Sequence, residues 1–143
     1  MPMIKIWIHL VWATKHRHPL LKDSIRRNIF NHIRVNGRKK GLFIDCINGY
    51  TDHMHCLISL GAEQTIAKVV QLIKGESSYW INQQQLTEDK FEWQDEYFAV
   101  SVSESMLATV RTYIYKQEEH HKKQTFQQEY DAFIGKYGFN VVG

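Results

Sequence analysis

A chain of 143 residues with a hydrophobic fraction of 43% and an aromatic fraction of 13% has the makings of one folded domain, which excludes a disordered or low-complexity protein. Two cysteines, Cys46 and Cys56, are too few for a disulfide scaffold or a zinc finger, and both lie in apolar runs that suit reduced thiols in the cytoplasm. The formal charge of +3 is mild, and the apolar stretch at Ile4–Ala13 is too short and too interrupted by Lys5 and His9 to span a membrane.

Ile4–Ala13, β-branched and aromatic, predicts a first strand. After the basic turn Lys15–His18 and Pro19, Asp23 or Ser24 is placed to cap a helix running to about Lys39, with Ile25, Ile29 and Ile33 at helical spacing and Gly41 as its stop. Leu42–Tyr50 and His53–Leu60 predict a hairpin turning through Thr51 and Asp52. A second helix follows from Thr65 to about Gln83, interrupted at Gly75 and Ser77-Ser78, and residues 83–89 form a polar loop. Tyr97–Val102 predicts a fourth strand. Ser103 or Ser105 caps the next helix, from about residue 105, and a last helix covers Thr125–Tyr137. The order strand, helix, strand, strand, helix, strand, then helices is that of an α+β, ferredoxin-like (RRM-like) domain covering residues 1–143, with helices on one face of an antiparallel sheet. The opposite face is left for a ligand.

His53-Met54-His55 is the pattern that carries chemistry. Alternation along a strand turns both imidazoles to one face, which the expected fold makes the open one, as half of a metal site. His16-Arg17-His18 repeats the spacing in a basic turn, where nothing fixes the rings together. Tyr113 and Gln117 stand one helical turn apart and share a face; His121 continues it, and His120 lies one turn from Gln117, so three side chains of this helix are placed to complete a metal site. Tyr115, the rival phenol, projects about 160° from Gln117. The structural alternative is an amphipathic helix whose tyrosine packs in the core. Tyr79, Tyr97 and Trp93 suit packing or base stacking. Three basic clusters, Lys15–His18, Arg34 with Arg38–Lys40, and His120–Lys123, suit a polyanion.

On these residues the chain resembles the single-tyrosine HUH transposases, the small transposases of insertion sequences that move as single-stranded DNA, and their REP-associated relatives. The resemblance runs through His9-Leu10-Val11-Trp12-Ala13-Thr14-Lys15, Asp52-His53-Met54-His55, Lys74-Gly75-Glu76-Ser77-Ser78, Trp93-Gln94, and Tyr113-x-x-x-Gln117 followed by His120-His121. It implies a DNA transposase and single-strand endonuclease that cuts and rejoins DNA through a 5′-phosphotyrosine on Tyr113. It also implies one Mg²⁺ or Mn²⁺ held by His53, His55 and Gln117, a homodimer in which the Ser101–Glu104 stretch before the Tyr113 helix is a candidate hinge, and DNA with hairpin ends. Lys15, Arg17, Arg38, Lys39, Lys74, His120 and His121 are the candidates for DNA contact. Two alternatives share the pattern: a host-retained nuclease that processes palindromes, and a non-catalytic single-strand binding module on the same sheet.

Overall fold

The computed structural model describes residues 2–137. Four antiparallel strands, β1 (Trp7–Ala13), β2 (Phe43–Gly49), β3 (His53–Ser59) and β4 (Phe98–Val102), form one sheet in the order β2-β3-β1-β4. Between them run α1 (Asp23–Lys39) and α2 (Ile66–Gln83); α3 (Leu107–Tyr115), α4 (Gln117–His121) and α5 (Phe126–Tyr137) follow. This is the expected split βαβ topology. The first strand begins at Trp7 rather than Ile4, where pairing with Ser59 and Val102 starts.

Alternation sorts the sheet into two faces. Leu10, Trp12, Met54 and Ile58 turn toward α1 and α2, where Ile29, Ile33, Val70, Ile73 and Ile81 complete a core. Each such side chain contributes about 1.5–3 kcal/mol through burial. Helix α2 is continuous: nothing crowds the Cα of Gly75, and the Ser77 hydroxyl donates to Ile73 O at 2.6 Å, so neither residue interrupts it. At α1 the expected side-chain cap is absent. Lys22 takes the N-cap position, and Asp23 instead pairs with Arg26 at 2.8 Å.

The second face is not open. Leu107 and Ile114 of α3 pack with Cys46 and Leu57, while Phe126 of α5 packs with Val11 and Ala13. The Arg111 guanidinium clasps Asp45, the extra residue of a bulge in β2, at 2.7 and 3.3 Å. The expectation of helices on one face alone is corrected accordingly: His53 and His55 lie beneath this second layer. The stretch proposed as a hinge is pinned at its end, since Glu104 accepts from Trp7 Nε1 at 2.8 Å and from Lys5 Nζ at 3.2 Å.

Lys74 serves the fold directly. Its ammonium donates to the carbonyls of Gln94, Asp95 and Glu96 at 2.6, 3.1 and 3.1 Å and sits 5.6 Å from the ring centres of Trp12 and Tyr97. Burial lowers its pKa to about 8 against the opposing pull of Asp95 and Glu96. Lys74→Met is expected to cost about 1–3 kcal/mol of unfolding free energy, read from urea titration, because three carbonyls lose their donor.

Candidate active site

Strand pairing builds the first half of the site. His53 and His55 pair with Ala13 and Val11 across the β1–β3 ladder, and both rings are fully buried. The turn before them is tight enough to require glycine at position 49, where a Cβ would lie 2.2 Å from the His53 carbonyl oxygen. Asp52 Oδ1 lies 2.8 Å from His53 Nδ1, which orients the ring. A proton held between them leaves the Nε2 lone pair directed inward. His9, on β1 and the same face, meets His55 Nδ1 through its Nε2 at 2.9 Å and stacks on it with centroids 5.1 Å apart. The sequence placed His9 only in the opening strand; alternation puts it on this face once the register is known.

The second half comes from the C-terminal helices. The expected single helix through Tyr113 and Gln117 is broken at Lys116, whose φ of −93° and ψ of 15° end α3 and start α4. The two side chains nevertheless stay together, because Gln117 Nε2 donates to Tyr113 O at 3.4 Å. Gln117 is fully buried, with Oε1 2.9 Å from His53 Nε2. Tyr113 packs edge-on against His55 and His9, at centroid distances of 5.5 and 6.2 Å. Tyr115 points away and is 58% exposed.

Glu129 on α5 lies at the centre of the cluster, and nothing in the sequence singled it out. It is 2% exposed. Its Oε1 is 3.1 Å from His55 Nε2, 3.3 Å from His121 Nε2 and 3.5 Å from His53 Nε2. Its Oε2 accepts the Tyr113 hydroxyl proton in a short hydrogen bond and lies 3.5 Å from Gln117 Nε2 and 3.6 Å from His120 Nε2. Burial holds His9 and His55 neutral at neutral pH, with pKa values near 3 and 4. Burial alone would raise the pKa of Glu129, but hydrogen bonds from His121 and His55 hold it well below the carboxylate range.

The donor set fits a divalent cation. Ligand atoms of His53, His55 and Glu129 lie within 4.8 Å of one another, and the Gln117 carbonyl oxygen faces the inward nitrogen of His53 at 2.9 Å. A Tyr113-side cleft of about 380 Å³, bordered by His9, Tyr113, His120 and Glu129, opens the centre toward solvent.

The other candidates are dispersed. Arg17 donates to Gln127 and lies 5.2 and 5.1 Å from the ring centres of Phe126 and Tyr130, joining the basic turn to α5. Lys15 pairs with Glu92 at 3.0 Å. Arg38 and Lys39 are exposed at the far end of α1, roughly 20 Å along the helix from the turn beside His53. Lys74 is held by its three carbonyls, and Trp93 is buried with its indole N–H on Ser77 at 2.9 Å.

The chain is similar to known proteins in both sequence and fold. Residues 3–117 match a family model described as IS200-like transposase. The chain is 28% identical over 116 residues to the ISDra2 transposase TnpA of Deinococcus radiodurans, covering 78% of this chain and 83% of that protein. A crystal structure of a candidate transposase from Deinococcus radiodurans superposes with a TM-score of 0.66 at 26% identity, over 81% of this chain and 93% of that one. The structure of a REP-associated tyrosine transposase bound to a REP hairpin shares the fold, with a TM-score of 0.63 at 16% identity over 85% of this chain and 72% of the other. Helix α5, with Glu129, lies beyond the family match.

Proposed function

The chain belongs to the IS200-like transposase family, and from that premise we propose that it cuts and rejoins single-stranded DNA through a 5′-phosphotyrosine formed on Tyr113. The observation that carries the proposal is the meeting of a phenol, two inward imidazoles and a carboxamide, drawn from α3, β3 and α4, in one buried centre beside an open cleft. His53, His55 and Gln117 would hold one Mg²⁺ or Mn²⁺, and imidazole donors favour Mn²⁺ of the two. When bound, the cation supplies charge stabilisation at the scissile phosphate.

The residues of the chain do the rest. Asp52 and His9 fix the two imidazole planes, and the packing of α3 on Leu57 and Cys46 holds the Tyr113 ring over the His face. That is the preorganisation an in-line attack requires. Lys15, Arg17 and His120, near the site, are proposed phosphate contacts for the cleaved strand. Exposed Arg38 and Lys39 remain the further candidates for DNA contact, whereas Lys74, held by three loop carbonyls, and His121, buried against Glu129, are withdrawn from that set. Hairpin DNA as the ligand is supported by the solved REP-hairpin complex of a protein with this fold. We place the protein in the cytoplasm; no helix among the described residues is long and apolar enough to cross a membrane. A homodimer is part of the proposal, and it would bring two such centres to two DNA ends.

The test is a denaturing gel of the protein with labelled single strands from both flanks of its own gene. A covalent band that needs Mn²⁺ and disappears with chelator is the expected result; binding without any band would favour a binding module. In the same preparation, His55→Ala is expected to weaken Mn²⁺ binding at least about tenfold by calorimetry, since a direct ligand is lost. Unchanged affinity would remove His55 from the ligand set.

A further inference from the structure

We propose that Glu129 is a catalytic residue of this chain, one carboxylate oxygen completing the ligand set of the divalent cation and the other accepting the Tyr113 proton. The proposal rests on the function just given and adds to it a residue twelve positions beyond the end of the family match, at position 117.

The two oxygens divide the work by position. Oε1 is on the imidazole side, 3.1–3.5 Å from the Nε2 atoms of His55, His121 and His53. Oε2 is on the nucleophile side, where the Tyr113 hydroxyl donates to it. Nothing about burial alone would favour a carboxylate here, because an unpartnered ionised group in the interior costs several kcal/mol. The surroundings are arranged to hold it. Phe126, three residues earlier on α5, stacks on His53 at 4.5 Å with the planes 26° apart, and Tyr130 meets Phe98 edge-on at 5.1 Å. Arg17 lies beside the rings of both Phe126 and Tyr130. Thr125 starts the helix by accepting from Gln128 N at 3.1 Å through its hydroxyl. A helix fastened on both sides of Glu129 presents the carboxylate at a fixed place. A carboxylate beside two imidazoles also adds the hard oxygen donor and negative charge that Mg²⁺ and Mn²⁺ prefer.

In the cleavage step, Tyr113 Oη forms a bond to phosphorus as the bond from phosphorus to the 3′ oxygen breaks. The phenolic proton passes to Glu129 Oε2, and the departing 3′ oxygen keeps the bonding pair and takes a proton from water. Rejoining is the reverse, with Glu129 returning the proton to the phenol.

The experiment compares wild type with Glu129→Gln, which keeps shape and hydrogen-bonding reach but loses charge and basicity; thermal melts verify that the variant folds. Calorimetric titration of Mn²⁺ without DNA is expected to show at least a tenfold loss of affinity. At saturating Mn²⁺ and in single turnover, the adduct is expected to form at least 100-fold more slowly, the usual range for loss of a general base. The deficit should narrow as pH is raised to 9, where hydroxide replaces the carboxylate. Wild-type Mn²⁺ affinity in Glu129→Gln would overturn the ligand assignment, and an unchanged or faster adduct rate would overturn the proton-accepting one. Should the wild type itself form no adduct, the strand-cleavage reading fails, while the Mn²⁺ titration still decides whether Glu129 is a ligand.

Discussion

Tyr113→Phe is expected to lower formation of the covalent protein–DNA adduct by at least about 10³-fold, while Mn²⁺ and DNA affinities stay within about twofold of wild type. The substitution removes only Oη. The ring keeps its edge contacts with His55, His9 and His120, so the His face stays covered. One cost is structural: Glu129 Oε2 loses its closest donor and keeps Gln117 Nε2 at 3.5 Å, which should lower stability by about 1 kcal/mol. The control is Tyr115→Phe. That phenol is 58% exposed and turned away from the imidazoles, so its loss should change neither adduct nor stability. An adduct that survives Tyr113→Phe and vanishes in Tyr115→Phe would transfer the nucleophile to the neighbouring phenol.

The element order and the common face of His53 and His55 were legible because strand alternation and helix spacing are local properties. Tyr113 and Gln117 were legible for a related reason: four residues keep a common face even through the break at Lys116. What escaped was set by tertiary contact. His9 joins the site only through the β1–β3 register, which no single strand reveals. Glu129 follows Gln127 and Gln128 in a short polar run, where a charged residue reads as solvent-facing, yet imidazoles rather than aliphatic groups surround it in a buried position. Helix α2 runs through Gly75 and Ser77 because the Ser77 hydroxyl is satisfied by Ile73 O within the helix. Lys74, as a basic residue, suited DNA equally well in sequence; only the loop carbonyls around it show where its donors go.

The metal-free protein is expected to lose stability steeply as pH falls from about 6.5 toward 3, by several kcal/mol, a large part of the roughly 5–15 kcal/mol typical of a domain. The sign follows from the imidazoles. In the fold, burial brings His9 to about 3, with His55 adding to the effect and Glu129 opposing it. Burial likewise brings His55 to about 4 against the hydrogen bond and charge of Glu129. The unfolded chain therefore takes up these protons first, near pH 6.5, and binds more of them than the native state throughout the window. Stability rises with pH across that interval and levels off above it. Glu129 acts in the same direction at the acid end, since its stabilising ionisation is present above about pH 4.5 and lost below. Urea titrations in EDTA at pH 8, 6, 5 and 4 would measure the slope, about 1.4 kcal/mol per pH unit for each excess proton. His9→Phe should remove about one proton from that slope. Saturating Mn²⁺ should move the decline to lower pH, because a cation on His53 and His55 competes with protons for the same nitrogens. A profile flat to pH 4 would mean that the folded protein accommodates charged imidazoles on this face, and the neutral state of His9 and His55 would have to be abandoned.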